Sequence, residues 1–494
     1  MYKPNRLLYL FITFLLINFY SCKNDFENYS NNPQHLLTFS TDTVSFDTVL
    51  TTVNSPALFF RVYNKNAKPL LISSVKLAGG ENSNFKINVD GFAGSSFENI
   101  EILAKDSILV LVDVKPKENG EYLPIIINDY VLFETNGVQQ KVVLEAVGQD
   151  VYTYRGLIIS VDSILDNKKP FLIYDSLVIG KDVTVEIGEG TVFYMHNNAQ
   201  LIVNGTIKIK GTVERPVIFR GSRMDNMVTI PYDLIPGQWG GIRFSSESFE
   251  NEFENVRIRN GTYGMVLEES DDPLKNKLFM KNVVLTNVSG NLFQTVNCKV
   301  IAENCEFSNS KDALMIIVGG SSQFTHCTFA NFYPYNEQLG WVNSNNETLI
   351  ISDAVMYSAS EGVYYPVISA EFYNSIIWSG KPSTASDINI FQISDNPIPY
   401  LFKNCLIPNS DPEDPKVIDC LFQVDPLFQK DNPNDLEKKR WYPYFDFRLQ
   451  KDSPAKDKAN LEIAAQIPYD LNGYYRLTDG HPDLGAYEFY EEEK

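Results

Sequence analysis

The sequence predicts an all-β chain, a β-sandwich followed by a longer solenoid of stacked strands, and three observations carry that prediction. From His35 to Gln149, apolar and polar residues alternate in short runs separated by turn signals. Beyond residue 150 the runs recur as a unit, with asparagines at 287, 309 and 331 spaced 22 residues apart. No helical periodicity of comparable length competes with either pattern. With 494 residues, 44% hydrophobic and 21% charged, the chain is too apolar for a disordered segment and long enough for more than one core.

The chain opens on Lys3 and Arg6, continues through an apolar run from Leu7 to Ile17 broken only by Thr13, and closes the segment with Phe19-Tyr20-Ser21-Cys22. This reads as an export signal. The run is shorter than the ~20 residues that span a bilayer, and no other stretch approaches that length, so no second span is expected. A small residue before a lone cysteine resembles a lipoprotein lipobox. That resemblance implies a signal peptide over residues 1–21, cleavage before Cys22, and lipid attachment at the Cys22 thiol. The alternatives are a plain secretory signal with an incidental cysteine, or an uncleaved anchor. Residues 22–34 are polar and read as a flexible tether. Its early acids, Asp25 and Glu27, resemble the signal that sends Bacteroidetes lipoproteins to the outer face of the outer membrane. The expected location is therefore the cell outer membrane, lipid-anchored and surface-exposed.

Residues 35–149 form the sandwich. Alternation in Leu58 to Asn64, Leu70 to Leu77, Ile108 to Val114 and Val142 to Val147 is punctuated by Gly79-Gly80, Pro116 and Asn119-Gly120. The phrases Phe60-Arg61-Val62-Tyr63-Asn64, Pro69-Leu70-Leu71-Ile72 and Phe85-Lys86-Ile87 resemble the hydin-type immunoglobulin-like domains of bacterial surface proteins. The resemblance implies a spacer or adhesive module. No Ser/His/Asp set or metal cluster occurs in the segment, which reads as a stalk.

Residues 150–415 form the solenoid. Its unit is an inward pair of core residues followed by a bend: Val256 and Ile258 with Asn260, Val283 and Leu285 with Asn287, Cys305 and Phe307 with Asn309, Cys327 and Phe329 with Asn331. Ser375 with Ile377 and Cys405 with Ile407 continue the series. Asparagine suits a tight bend because it tolerates the left-handed region and bonds nearby backbone. Stacking buries a core that no single unit could bury alone. The phrases Gly190-Thr191-Val192-Phe193, Leu201 to Gly205 and Gly237 to Phe244 resemble right-handed parallel β-helix proteins of the pectate-lyase-like superfamily. Residues 416–494 carry Asp425-Pro426-Leu427-Phe428, Asp446 to Leu449, Asp470 to Gly473 and Asp483 to Glu488. They resemble the choice-of-anchor Q module; because a solenoid end exposes unpaired strand edges and needs a cap, Asp470, Arg476, Asp483 and Glu488 read as capping ion pairs and hydrogen bonds, the alternative being a catalytic carboxylate pair.

The function classes narrow from charge and side-chain chemistry. A net charge of −20 repels phosphate backbones, so nucleic acid is not an expected partner. Of six cysteines, Cys305, Cys327 and Cys405 share one inward register and read as buried hydrophobes. His35, His196, His326 and His481 are scattered, no Cys-x-x-Cys occurs, and no metal site is assigned. His326 stands where Asn282, Asn304, Asn374 and Asn404 stand in other units, which suggests an outward or bend position rather than a ligand. The outward residues between the inward pairs are Arg257, Val284, Glu306, Thr328, Ile376 and Leu406. Arg259, Thr286, Ser308, Ala330, Trp378 and Pro408 follow them. No carboxylate cluster stacks there and no Gly-His-Gly is present, so no catalytic residue is assigned.

Two features could bind. Arg257 and Arg259 offer a small basic spot for an anionic sugar, the alternative being solvated strand charges. Between Asn331 and Phe372 the repeat lapses, and Tyr333, Tyr335, Trp341, Tyr364 and Tyr365 could line a glycan or peptide groove, the alternative being ordinary coil packing. The expected protein is a lipid-anchored envelope β-helix that binds polysaccharide or a surface protein without catalysis. Polysaccharide lyase or glycoside hydrolase chemistry, and a purely structural spacer, are the alternatives. No cofactor is expected, with Ca2+ implied only if the lyase alternative holds.

Overall fold

A computed structural model of the chain describes residues 29–227, 230–333, 347–358, 361–379, 387–408, 413–430 and 445–491. The chain divides into two compact units, Met1–Asp150 and Val151–Lys494. Cys22 and the expected signal peptide, residues 1–21, lie outside the described residues.

The first unit is an immunoglobulin-like sandwich of ten strands: β1 (Thr38–Phe39), β2 (Thr43–Leu50), β3 (Leu58–Tyr63), β4 (Leu70–Leu77), β5 (Phe85–Val89), β6 (Phe92–Gly94), β7 (Ser96–Ile102), β8 (Ser107–Val114), β9 (Ile125–Thr135) and β10 (Val138–Gln149). They form sheets β1-β3-β8-β5-β6 and β2-β10-β9-β4-β7. β2 joins β10 in parallel, with Val143 opposite Thr43. Period-2 alternation sets the faces: Phe60, Val62, Val110 and Val112 are buried while Phe59 and Arg61 point to solvent. Residues 30–34, expected in the tether, belong to this unit. The Ser30 amide donates to Pro69 O at 2.9 Å and Asn136 Nδ2 donates to Asn32 O at 3.0 Å. Their partners, the Pro69 carbonyl and the Asn136 side-chain amide, lie far along the chain and leave no mark in a local polar composition.

The second unit is a right-handed parallel β-helix, with 26 described strands in one continuous sheet. Each coil contributes to three faces. In one coil these are Gln200–Val203, Thr206–Lys210 and Val217–Gly221. In the next, Gly241–Phe244 stacks on the first face, and Asn251–Arg259 serves the second and third. The bend between second and third faces falls on Asn255, Asn282, Asn304, His326, Asn374 and Asn404, all with φ between 48° and 56°. Asparagine is the side chain that both accepts this left-handed backbone and bridges coils. Asn282 Nδ2 donates to Asn255 Oδ1 at 3.1 Å, and Asn304 Nδ2 to Asn282 Oδ1 at 3.2 Å. His326 takes its place in the ladder, its Nε2 3.0 Å from Asn374 Nδ2. Asn260, Asn287 and Asn309, at the end of the third face, are left-handed as well, but Asn331, expected at the same bend, is the last residue of the strand Thr328–Asn331 and is not left-handed.

The inward pairs named from the repeat are buried, from Val256 and Ile258 through Cys405 and Ile407. Phenylalanines stack along the axis, Phe171 to Phe193 to Phe219 at 4.9 and 4.6 Å, and Phe324 to Phe372 to Phe402 at 5.1 and 4.9 Å. Burying each such ring contributes ~1.5–3 kcal/mol.

The C-terminal cap lies along the outside of the third face. Phe428–Lys430 pairs antiparallel with Asp446–Leu449, and Phe428, Phe447, Leu449, Leu484, Ala486 and Tyr487 pack against outward Ala330, Ile376 and Leu406. Arg476, fully buried, ties this layer to the asparagine ladder. Its Nη2 donates to Asn304 Oδ1 at 2.9 Å and Nη1 lies 3.3 Å from Glu488 Oε2. Asp470 accepts from the amides of Asn472, Tyr474 and Glu488 at 2.7–2.9 Å, and Asp483 from those of Asp457 and Phe489 at 2.7 Å. The four charged residues act as the structural ion pairs and hydrogen bonds expected of them.

Candidate functional site

Two recesses of the β-helix present converging polar groups. The first is a groove of about 340 Å³ on the first face, lined by Gln200, Gly240, Gly241, Ile242, Arg243, Tyr263, Val266, Asn291 and Gln294. Its floor is an outward row, with Ile202 beside Arg243, Val266 and Gln294 in successive coils. Outward positions two residues apart come to one surface by the pleat alone. Gly241 (φ +99°) makes the groove possible, because a Cβ there would meet the Tyr263 carbonyl at 2.4 Å. Tyr263 is 44% exposed, and Arg243 is ion-paired with Glu268 at the margin. The lining therefore offers carboxamides, one guanidinium and one open ring, and contains no carboxylate.

The second recess, about 310 Å³, lies on the flank where the cap meets the third face. It is lined by Asp233, Leu234, Arg259, Thr286, Asn287, Glu306, Ser308, Asn309, Phe445 and Phe447. The loop carrying Asp233 and Leu234 is pinned by two left-handed asparagines: Asn260 Nδ2 donates to Asp233 O at 2.5 Å and Asn287 Nδ2 to Leu234 O at 2.9 Å. Arg259 grips Asp233 through Nε and Nη2 at 2.9 and 3.1 Å, and Arg220 Nη2 lies 3.0 Å from the same carboxylate. Glu306 is buried and hydrogen-bonded to the Tyr487 hydroxyl, while Ser308 Oγ lies 2.6 Å from its Oε1 and 2.7 Å from Thr286 Oγ1. Burial pushes the Glu306 carboxyl above the ordinary range, opposed by Ser308, Tyr487 and the Arg257 charge.

The residues singled out in the sequence do not assemble into one site. Tyr335 and Trp341 lie outside the described residues. Tyr333 is buried, and burial raises its phenol to about 12. Tyr365 is buried too, its hydroxyl donating to Glu269 at 2.9 Å, which leaves Tyr364 (46% exposed) as the open ring of the three described. Of the expected ring-lined groove, Tyr333 and Tyr365 are corrected: both are buried, so neither presents an open ring to a ligand. The basic spot is corrected as well. Arg259 is neutralised by Asp233, and Arg257 Nη1 donates to Asn282 O at 3.0 Å and Val256 O at 3.4 Å. Sequence reasoning missed the first-face groove, whose only local signals are the Gly240-Gly241 pair and amides at outward positions. It also missed Asp233, which reaches Arg259 from a loop 26 residues earlier. Among the described residues no group of three or more His, Cys, Asp or Glu is placed to hold a metal ion.

No protein-family model matches the chain, and no curated protein matches it. Among solved structures, one likeness is to a family 123 glycoside hydrolase from Clostridium perfringens, at 11% identity and TM-score 0.17 over 23% of this chain and 26% of that one. The chain thus spans about a quarter of that hydrolase. A PapD-like domain of human CEP192 matches at 10% identity and TM-score 0.17, over 26% of this chain and 94% of that domain. The catalytic domain of a GH87 α-1,3-glucanase, solved with tetrasaccharides, matches at 10% identity and TM-score 0.16, over 75% of this chain and 90% of that one. Likenesses this weak carry no argument about activity, and the architecture here rests on strand register and burial.

Proposed function

We propose that the protein is a lipid-anchored envelope β-helix that holds a polysaccharide on its first face without cleaving it. The observation that carries this reading is the lining of the first-face groove, where Gln200, Asn291 and Gln294 supply paired donors and acceptors beside the exposed Tyr263 ring. Carboxamides match sugar hydroxyls, and an open ring supports the apolar side of a pyranose. A glycosidase needs two carboxyl groups across one cleft, and the groove lining has none. The residues before Cys22 support export and lipid attachment, and the acids after it support surface exposure. The sandwich serves in this reading as a spacer.

The test incubates the chain lacking residues 1–28 with a panel of insoluble polysaccharides, with Ca2+ and with chelator, scoring retention and new chain ends. Retention that falls about tenfold in Tyr263→Ala/Gln294→Ala, without new chain ends, is expected. New chain ends would instead establish the lyase or hydrolase alternative, and retention indifferent to both substitutions would move the ligand off this face.

A further inference from the structure

The flank recess shares no lining residue with the first-face groove and calls for a different ligand. Its charged groups are already satisfied within the protein. Arg259 and Asp233 form a two-pronged pair at 2.9 and 3.1 Å, and Arg220 reaches the same carboxylate. Glu306 is buried, with both carboxyl oxygens already engaged, one by the Tyr487 hydroxyl and one by Ser308 Oγ. An anionic ligand would meet no uncommitted cation here, and a cationic one no uncommitted anion, so either would lose hydration without recovering it. What the recess offers besides is uncharged: hydroxyls of Thr286 and Ser308 that bond each other, an Asn287 carboxamide whose Nδ2 is used on Leu234 O and whose Oδ1 can still accept, an Asn309 carboxamide whose Oδ1 accepts from the Phe332 amide and whose Nδ2 can still donate, and walls made by Phe445, Phe447 and Leu234. At about 310 Å³ it sits at the small end of ligand sites. Like the first-face groove, it has room for about one ring, which suits a single sugar or the end unit of a glycan.

Hydroxyls and amides opposite aromatic walls are the complement of a pyranose, which carries equatorial hydroxyls around its rim and C–H bonds on its faces. We propose that this flank recess is a second sugar site, taking one uncharged pyranose ring, either free or as the end unit of a neutral glycan. The site is assembled from three distant parts of the chain, the Asp233 loop, the third-face coils and the cap. It exists only when the cap is docked. The reading is independent of polysaccharide binding at the first face and stands or falls separately.

The experiment is titration calorimetry on the full chain with D-glucose, D-galactose, D-mannose, N-acetyl-D-glucosamine, L-rhamnose and D-glucuronate as probes. At least one uncharged sugar is expected to bind saturably with a millimolar-range Kd, and glucuronate not to bind. Thr286→Trp, which fills the recess, should abolish that binding, and Ser308→Ala should weaken it several-fold. Tyr263→Ala, in the other groove, should leave it unchanged. Circular dichroism confirms that each variant is folded, and Ser308→Ala serves alone if Thr286→Trp is not. Absence of binding by every uncharged sugar overturns the proposal, as does glucuronate binding as well as the neutral sugars. So does binding that survives Ser308→Ala and Thr286→Trp, or that is lost instead in Tyr263→Ala.

Discussion

The first and third faces of the β-helix are built from the same alternation over the same core, yet they meet opposite fates. On the first face the outward residues Ile202, Arg243, Val266, Gln294, Ile316 and Ile350 keep contact with solvent. On the third face, Thr328, Ile376 and Leu406 are buried beneath the cap. The inward rows do not distinguish the two. Charge does not separate them, since Val266, Gln294, Ile316 and Ile350 are as uncharged as Thr328, Ile376 and Leu406; what differs is that Phe428, Phe447, Leu449, Leu484 and Tyr487 of the cap pack on the third face.

That contrast can be broken most sharply at Arg476. The buried guanidinium faces Asp470, Asp483 and Glu488, so Arg476→Met leaves buried acids without their cation and should cost ~3–5 kcal/mol in urea unfolding. Acidity offers the next largest effect. Burial, with like charges nearby, lifts the Glu488 carboxyl from 4.5 to about 8, and burial lifts Asp483 from 3.8 to about 6. The folded state then holds protons that the unfolded chain would release. The resulting stability is fully present below the ordinary carboxyl values and is lost as pH rises through about 6 and then about 8. The Tm of the β-helix unit by calorimetry should therefore fall between about pH 5 and about pH 9. A Tm that rises over that interval would show the cap carboxyls to be ionised throughout. The smallest effect belongs to the open face. Arg243→Ala removes an ion pair whose arginine side chain is 57% exposed, and the unfolding free energy should move by no more than ~1 kcal/mol.

How much of this could be read beforehand depends on whether a feature is local or assembled. The bends were legible because asparagine at a fixed offset from an inward pair has one conformational meaning, and His326 could be placed among them by offset alone. Burial of Cys305, Cys327 and Cys405 followed from the same register. The cap's charged residues were legible as structural because a solenoid end leaves strand edges that must be covered. The sites were not. Tyr333 and Tyr365 looked like candidate ligand rings because composition cannot separate an aromatic that fills a coil from one that faces out. Arg259 looked free because Asp233 lies in a loop outside the repeat, and Glu306 looked isolated because its partner Tyr487 lies 181 residues downstream. Where a site is made by a late segment docking on an early one, local pattern has nothing to report.

The long reach of those docking contacts bears on how the protein is made. Arg476 meets a partner 172 positions earlier, Ala486 one 158 earlier, and Tyr487 one 181 earlier. The coils can stack as they emerge, each using its predecessor as a template, but the uncharged strip of the third face stays bare until nearly the last residue has been delivered. During synthesis that strip stays open to solvent, and a chain truncated before Arg476 should carry it permanently and be prone to aggregation.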